Sequence, residues 1–256
     1  MAESEISEVV APEIQRERVE KKLIREFFDN KEFGIFVEVG ANEPKTDYSQ
    51  SWHLESQLGW KGVLVEPNPE LAQKARMERP HAMVFEVACV SDNNQDSIQL
   101  FIPVINGSEI TGHASIGKNI DDFSYTAHRE VIVKAQTLNA VLEEAKVNSI
   151  DFLSIDVEGA EMEVLKGLDL QRYRPRLIML EDKHVYLDKH RYLTRRGYRL
   201  VKRTTLNCWY IPVGTKRPHQ SFFEKLRLWK RMYLSIWPKK IARAYKSKSI
   251  EPFKKL

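Results

Sequence analysis

The chain has 256 residues, of which 42% are hydrophobic and 30% are charged, and its net charge at neutral pH is +4. These values are ordinary for a soluble globular protein with one sizeable core, and no internal repeat or low-complexity tract is visible. Two cysteines are too few for a disulfide framework or a zinc site, so we expect a reducing, cytoplasmic setting.

The ends of the chain differ in charge. The first residues are acidic where a secretion signal would be basic, and no apolar run approaches the about 20 residues that a bilayer span needs. We therefore expect neither export nor a membrane-spanning helix. Residues 216–256 contain 13 Lys or Arg and two Glu, a net charge of +11, which leaves −7 for residues 1–215. A basic tail on an acidic body predicts a polyanionic partner for the tail.

The first half of the chain predicts alternating strands and helices. An amphipathic helix over residues 12–30 comes first, and we expect it to lie against a sheet edge. Then follow a strand at 35–39, a helix at about 50–58, a strand at 62–66, a helix at about 69–78 and a strand at 83–90. This alternation indicates parallel strands joined by right-handed crossovers.

Residues 91–135 interrupt that alternation with two strands, 98–104 and 131–135, and a loop at 106–118 that contains Gly and Ser. Long loops over the carboxyl ends of parallel strands are where such sheets differ in substrate. We expect this insertion to form part of an acceptor site, and the alternative is a solvated hairpin without a role.

The second half resumes the pattern and completes the fold prediction. It contains a helix at 137–146, a strand at 150–156, a helix at 160–167, a strand at 177–180, a helix at 184–196 and strands at 198–202 and 208–213. The last two strands are separated by a short turn and should pair antiparallel. We expect an α/β fold with a seven-stranded, mostly parallel sheet, a C-terminal antiparallel hairpin and then a basic amphipathic helix. The expected division is an N-terminal helical extension (1–32), one domain (33–215) and a tail (216–256).

Two strand ends carry the most informative residues. The first strand leads through Glu38 into a turn at Gly40 and Asn42, and the second ends in Glu66. This is how α/β sheets hold the ribose of an adenosine cofactor, but the further glycines that admit a pyrophosphate are missing. We therefore predict S-adenosylmethionine, with Glu66 on its ribose diol and Glu38 attracting its ammonium. The alternative is that both glutamates are ordinary charges at strand ends.

Further acidic residues follow the fourth and fifth strands of the predicted sheet. They are Asp156, Glu158, Glu181 and Asp182, with His184 close behind. Carboxyl ends of parallel strands converge, so these carboxylates need either a divalent cation or neighbouring Lys and Arg to neutralise them. The sequence allows Mg²⁺ or Mn²⁺ on three of them, Asp156, Glu181 and Asp182.

Methyl transfer to a hydroxyl needs a group that removes the proton of the acceptor. His184 is the first candidate base, because an imidazole accepts a proton near neutral pH, and Glu158 is the second. The alternative for His184 is a surface residue in the first turn of a helix.

Three segments of the chain, 36–42, 59–67 and 150–161, resemble the FkbM family of S-adenosylmethionine-dependent methyltransferases. The resemblance covers about residues 33–213 and implies the class I, Rossmann-like methyltransferase fold. It also implies O-methylation of sugars or natural products, including bacterial surface glycans and polyketides. Carried over by position, Glu38, Gly40, Asn42 and Glu66 would bind the cofactor, and Asp156 with Glu158 would line the reaction site, where Asp156 also contacts the cofactor. The family pattern often has Asp at position 38 and a second glycine near position 44, where this chain has Glu and Pro.

The basic tail lies outside that resemblance and predicts an amphipathic helix. Aromatic and aliphatic residues recur at helical spacing, with Lys and Arg between them: Phe222, Leu226, Trp229, Tyr233 and Ile236, flanked by Phe223, Met232 and Trp237. This composition is typical of a helix in the interface of an anionic membrane, and the alternative is that the stripe packs on the protein's own core. A tail that reaches the cytoplasmic face of the inner membrane would imply a lipid-linked glycan acceptor.

Other functions fit less well. A nucleic-acid methyltransferase would explain the basic tail, but the Asn/Asp-Pro-Pro-aromatic turn that holds a target base is missing, so no nucleic-acid partner is expected. A non-catalytic, membrane-tethered module with a vestigial cofactor site is a second alternative. A nicotinamide oxidoreductase is disfavoured by the glycine spacing.

Overall fold

The computed structural model describes residues 12–116, 125, 127–182, 186–204, 206–216, 218 and 220–248. In chain order its elements are α1 (Pro12–Phe27), β1 (Ile35–Val39), α2 (Trp52–Leu58), β2 (Lys61–Val65), α3 (Pro69–Glu78), β3 (Ala82–Phe85), β4 (Ala88–Val90), β5 (Ser97–Ile105), β6 (Ser108–Glu109), β7 (Ala127–Thr137), α4 (Leu138–Glu144), β8 (Phe152–Ile155), α5 (Glu161–Lys166), β9 (Leu177–Glu181), α6 (Asp188–Arg195), β10 (Tyr198–Arg203), β11 (Asn207–Pro212), α7 (Phe222–Trp229) and α8 (Ile236–Ser247). A 3₁₀ turn spans Thr111–His113, and a π-helical turn spans Lys230–Leu234.

The main sheet has seven strands in the order β10-β11-β9-β8-β1-β2-β3. From β9 to β3 all neighbours are parallel, whereas β11 is antiparallel to both β9 and β10. The expected α/β class is confirmed, and the sheet is mixed because its last two strands form a hairpin.

Helices cover both faces of this sheet, which is why its central strands are continuous apolar runs. Along β1, Val37 and Val39 belong to the core cluster that contains α4 and α5. Phe36 faces the other way, into the cluster that contains Ile24 of α1 and Leu54 of α2. Because strand residues alternate in direction, Glu38 lies on the face of α1 and α2.

A second sheet of four strands, in the order β4-β7-β5-β6, is formed by the insertion together with the short strand β4 that precedes it. The predicted strand at 83–90 is wrong as a single element, since the chain leaves the main sheet after Phe85 and β4 pairs with β7 instead. The long β5 and β7 are antiparallel partners. The insertion is therefore a folded layer beside the main sheet rather than an extended loop.

The tail folds back onto the domain instead of forming one free helix. It consists of α7, the π-helical turn and α8, and it buries Met232 and Ile236, which are 1% and 4% exposed. Met232 belongs to the larger core cluster. Among the described residues no helix is both long and apolar enough to cross a membrane.

Candidate active site

A cavity of about 770 Å³ opens at the carboxyl ends of β1, β2, β8 and β9. Ligands bind at this edge of an open α/β sheet, because the loops after the strands leave a crevice there. The walls come from the turn after β1, the end of β2, the 3₁₀ turn of the insertion, the loop after β8 and the N-terminal helix α1. Its volume is that of a typical small-molecule site.

The turn after β1 requires glycine at position 40. Gly40 has φ +87°, and a Cβ placed there would lie 1.7 Å from the backbone oxygen of Asp156. The backbone N–H groups of Gly40 and Ala41 both donate to the carbonyl of Val65, at 2.9 and 3.2 Å. The turn therefore packs closely against the ends of β2 and β8. This close packing leaves space for the cavity next to the turn.

Glu66 lies at the floor of the cavity with a fixed carboxylate. Its two oxygens accept backbone N–H bonds from Asn42 at 2.7 Å and from Asn68 at 2.9 Å. Burial raises the pKa of Glu66 to about 7, although these two hydrogen bonds oppose the rise, and the nearby charge of Glu38 adds to it. Each oxygen keeps a second lone pair that can accept a hydroxyl of a ligand.

Asn42 connects this turn to the insertion. It has φ +46°, a left-handed conformation that asparagine tolerates better than most residues. Its side-chain oxygen accepts a hydrogen bond from the Thr111 hydroxyl at 3.2 Å. Three of the predicted cofactor residues, Gly40, Asn42 and Glu66, are therefore brought together in one wall.

Glu38 is placed differently from the prediction. Its carboxylate accepts hydrogen bonds from the hydroxyls of Ser49 and Ser51 and from the backbone N–H groups of Gln50 and Ser51. It is 3% exposed and is not among the described residues that line the cavity. The predicted contact with a ligand ammonium is corrected, because the side chain faces α1 and α2 and anchors the 49–51 segment.

A buried arginine that the sequence did not single out completes this anchor. Arg79, at the end of α3, pairs with Glu55 at 2.6 Å, and both side chains are almost fully buried. The same guanidinium donates to the Pro44 carbonyl and to the hydroxyls of Ser49 and Ser51. A buried ion pair of this kind fixes a conformation, since losing either partner leaves an isolated charge. It holds the loop that carries Tyr48 and Gln50 into the cavity wall.

Three carboxylates meet at the opposite wall. Oxygens of Asp156, Glu158 and Glu181 lie within 4.8 Å of one another, and all three side chains line the cavity. Asp156 is open to the cavity but enclosed by protein, so burial raises its pKa well above the usual range, and the charges of Glu181, Glu158 and Glu161 raise it further. A side-chain hydrogen bond joins Asp156 to Glu181, so this pair shares a proton or balances its charge with a cation.

Asp182 does not join this group, contrary to the predicted metal set. Its carboxylate lies 3.4 Å from the Lys189 ammonium, which is also 3.2 Å from Glu161. Burial would lower the pKa of Lys189, but these carboxylates outweigh burial and raise it. Lys189 therefore neutralises the outer acids, and the three that face the cavity are Asp156, Glu158 and Glu181.

Of the histidines that the sequence offered, two are described near the cavity or the 49–51 segment, His113 and His53. His184, the first candidate base, lies outside the described residues. His113 does line the cavity, and its Nδ1 is 3.0 Å from the Tyr125 hydroxyl. His53 is buried and neutral, because burial and the neighbouring Arg25 lower its pKa to about 3.

The N-terminal helix is a wall of the cavity that sequence reasoning missed. Residues of α1 from Pro12 to Leu23 line it, and Glu20 accepts hydrogen bonds from Thr204, Asn207 and the Trp209 indole. The available signal was weak, because Glu20 appears on an otherwise charged helix and its partners lie more than 180 residues away.

An α/β sheet with a one-glycine turn, a buried glutamate on the next strand and a cavity at the strand ends is the arrangement in which proteins of this class bind small nucleoside-like ligands. The sequence profile of the methyltransferase FkbM domain matches residues 38–200, more than half of the chain. The chain belongs to the FkbM methyltransferase family, and it is accordingly a methyltransferase that uses S-adenosylmethionine.

Solved structures show two more distant similarities. One is the precorrin-6y C5,15-methyltransferase of Geobacter metallireducens GS-15, with 12% identity and a TM-score of 0.37 over 75% of this chain and 84% of that one. The other is the human methyltransferase 10 domain containing protein, with 12% identity and a TM-score of 0.42 over 78% and 83% of the two chains. No curated protein matches the sequence at significant similarity.

Proposed function

We propose that the protein is a class I, Rossmann-like O-methyltransferase that transfers a methyl group to a hydroxyl of a sugar or glycan. The observation that carries this proposal is Glu66, a buried carboxylate with both oxygens oriented by backbone N–H groups at the cavity floor. The strand order, with parallel strands followed by an antiparallel hairpin, supports the class I assignment. The proposed catalytic domain is residues 33–215.

The residues present fit S-adenosylmethionine. A side chain at position 40 would have no room, so Gly40 presents only backbone in this part of the cavity wall. Glu66 offers hydrogen-bond acceptors for a ribose diol. The three cavity carboxylates form a negative wall that suits a ligand with a sulfonium and an ammonium. When bound, this cofactor supplies an activated methyl group for in-line transfer to an oxygen.

The acceptor proton needs a base in the cavity. Asp156 and Glu158 lie on the loop after β8, and a carboxylate there can accept a hydroxyl proton or orient the hydroxyl. His184 stays a candidate for the same role. The insertion supplies Thr111 to Ile116 to the cavity wall, which supports its proposed part in acceptor binding.

Mg²⁺ or Mn²⁺ is an alternative way to balance the Asp156, Glu158 and Glu181 group. Oxygen ligands at this spacing suit either ion, while a proton shared by Asp156 and Glu181 would account for the same group without one. Methyl transfer assayed in EDTA separates the two, because a metal-dependent enzyme loses activity and regains it with Mg²⁺ or Mn²⁺.

The test of the cofactor site is Glu66→Ala. We expect binding of S-adenosylhomocysteine, measured by calorimetry, to weaken by about two orders of magnitude, because charge-assisted hydrogen bonds to two ligand hydroxyls are lost. Glu86→Ala is the matched control. Glu86 follows the neighbouring strand β3, but it pairs with Arg76 at 2.9 Å and is not among the described residues that line the cavity.

Unchanged affinity in Glu66→Ala, with the fold intact by circular dichroism, would contradict the proposed site. Transfer of a radiolabelled methyl group from the cofactor to glycan and lipid-linked glycan acceptors tests the substrate class. Cofactor binding without turnover on any acceptor would favour the non-catalytic module, and labelling of nucleic acid would favour the other alternative.

A further inference from the structure

The tail leaves a row of large apolar side chains exposed, which we call the tail surface. Its members are between 45% and 87% exposed: Phe222, Phe223, Leu226, Trp229, Trp237, Ile241 and Tyr245. Scattered apolar residues on a surface are normal, but a set of large apolar side chains exposed on one segment of the chain marks an interaction site.

The π-helical turn aligns these side chains along one face. Buried or partly buried positions on the tail recur at every fourth residue from 228 to 244. In a regular α-helix a four-residue step drifts by about 40° each time, so the buried and exposed faces would spiral around the axis. The wider turn at Lys230–Leu234 holds an additional residue, worth about 100° of rotation, and so takes up most of the about 160° that four such steps accumulate. The exposed face of α7 therefore continues into that of α8.

The tail surface is bordered by cations. Lys225, Arg227 and Lys230 are exposed on α7 and the turn. The one acidic residue described on α7, Glu224, is engaged in a capping box with Ser221 at the start of the helix. Across residues 216–256 the net charge is +11. A partner of this surface must therefore be apolar at its centre and anionic around it.

We propose that the tail surface lies in the interface of a membrane that contains anionic lipid. Trp, Tyr and Phe side chains occupy the boundary between headgroups and acyl chains, and Lys and Arg stay with the anionic headgroups. A flat bilayer also accommodates a straight row of side chains over two successive helices. This proposal does not depend on the reaction, since membrane binding is measured without methyl transfer.

The membrane would then lie beside the cavity. Arg231 lines the cavity and donates to the backbone carbonyls of Arg203 and Thr204. Met232, the next residue, is buried in the core, so the tail cannot move away from the domain without exposing it. An acceptor carried by the same membrane would enter the cavity past Arg231.

The test is co-sedimentation of the full chain with vesicles of phosphatidylcholine and phosphatidylglycerol. We expect the wild type to bind these vesicles, to bind pure phosphatidylcholine weakly, and to lose binding in high salt because the charges are screened. The double variant Phe222→Ser/Phe223→Ser should bind at least about tenfold more weakly, since two exposed aromatic anchors are removed.

The control is Phe33→Ser, an aromatic residue that is 76% exposed just before β1, at the other end of the sheet. It should bind vesicles like the wild type, and both variants should keep the wild-type melting temperature. Wild-type protein that fails to bind anionic vesicles, or a double variant that binds equally well, would overturn the proposal. So would a concentration-dependent dimer in light scattering that the double variant abolishes without any vesicle binding, because the surface would then bind a second copy.

Discussion

Glu66 combines a buried position with a charge that a ligand needs. The residue is 5% exposed. In the hydrogen bonds described for it, the carboxylate accepts two backbone N–H groups and no cationic side chain. In the ligand-free protein the pKa of about 7 means that a proton is bound part of the time at neutral pH. Hydroxyl donors from a ligand favour the ionised form, so ligand affinity should fall as the pH drops below about 7.

The pH dependence of stability tests this environment directly. The pKa of Glu66 rises from 4.5 to about 7 on folding, so its stabilising contribution is complete below 4.5 and is lost as the pH rises through 7. Glu66→Gln removes that titration. We expect the free energy of unfolding of the variant to increase relative to that of wild type between pH 5 and pH 8, by up to about 3 kcal/mol, because wild type loses stability over this range.

The measurement is calorimetric melting of ligand-free protein at several pH values, where this change corresponds to several degrees. Glutamine also leaves one backbone N–H without an acceptor, which adds a constant offset and does not alter the trend with pH. Glu86→Gln, a partly exposed carboxyl, sets the baseline. A difference between Glu66→Gln and wild type that stays flat with pH would contradict the raised pKa.

Residue patterns predicted the cavity floor but not its sides. Gly40 and Glu66 were recognisable because each sits where a strand ends, and the strand pattern is local. Glu38 has the same position on β1 as a ligand-binding acid would have, and only the packing of α2 against the sheet decides that it points into the 49–51 segment. Arg79 was invisible as a functional residue, because its partner Glu55 lies 24 positions earlier and nothing local links the two.

At the level of elements, α1 is the part of the structure whose role depends most on distant contacts. The sequence predicted a helix at 12–30 on a sheet edge, and α1 occupies Pro12–Phe27. It packs Ile24 against the sheet, as does Phe28 directly after it, and its buried Glu20 reaches the hairpin formed by β10 and β11. It therefore connects the cavity wall to the β10–β11 edge of the sheet.

Glu20→Ala tests whether this helix is required for the site. The change leaves the Thr204 hydroxyl, the Asn207 amide and the Trp209 indole without their acceptor, at a cost of about 2–4 kcal/mol in the free energy of unfolding. We expect hydrogen exchange in α1 to accelerate and cofactor affinity to fall, because the helix loosens at the cavity wall.

The matched control on the same helix is Glu26→Ala. Glu26 is half exposed and pairs only at 3.7 Å with Lys22, one turn away. Such a pair contributes a few tenths of a kcal/mol, so stability, exchange and affinity should stay close to wild type. Equal behaviour of the two variants would show that α1 does not shape the cavity.

The same contrast between local and distant contacts explains which helices and strands were predicted correctly from the sequence and which were not. Helices α3 and α5 were predicted within one or two residues, because a cap or an apolar period marks them; Asn68, for example, caps α3 by accepting the Glu70 N–H. The run 83–90 carries no breaker between its two halves, so the switch from β3 to β4 could not be read from it. β4 pairs with β7 in the second sheet, and this pairing joins residues that are far apart in the chain.

On the scale of the whole molecule, the tail raises the question of where the folded unit ends. The sequence divided the chain after residue 215 because composition and charge change there. Yet Met232 packs into the larger core cluster, His190 of α6 lies 3.0 Å from the Tyr233 hydroxyl, and the buried Lys240 ammonium lies over the Tyr186 ring. These contacts attach the tail to the domain, and its exposed face is the one that we propose to bind a membrane.

Met232→Ala measures that integration. Removing a side chain that is 1% exposed leaves a cavity in the core, and we expect a loss of about 2–4 kcal/mol in the free energy of unfolding. Leu226→Ala, on the tail surface at 49% exposure, should change stability by less than about 0.5 kcal/mol. Denaturant unfolding followed by circular dichroism checks both, and a single transition that shifts as one unit in Met232→Ala means that tail and domain unfold together. If Met232→Ala matches wild type, or if the tail melts in a separate transition, the boundary at residue 215 is real and the tail is an independent extension.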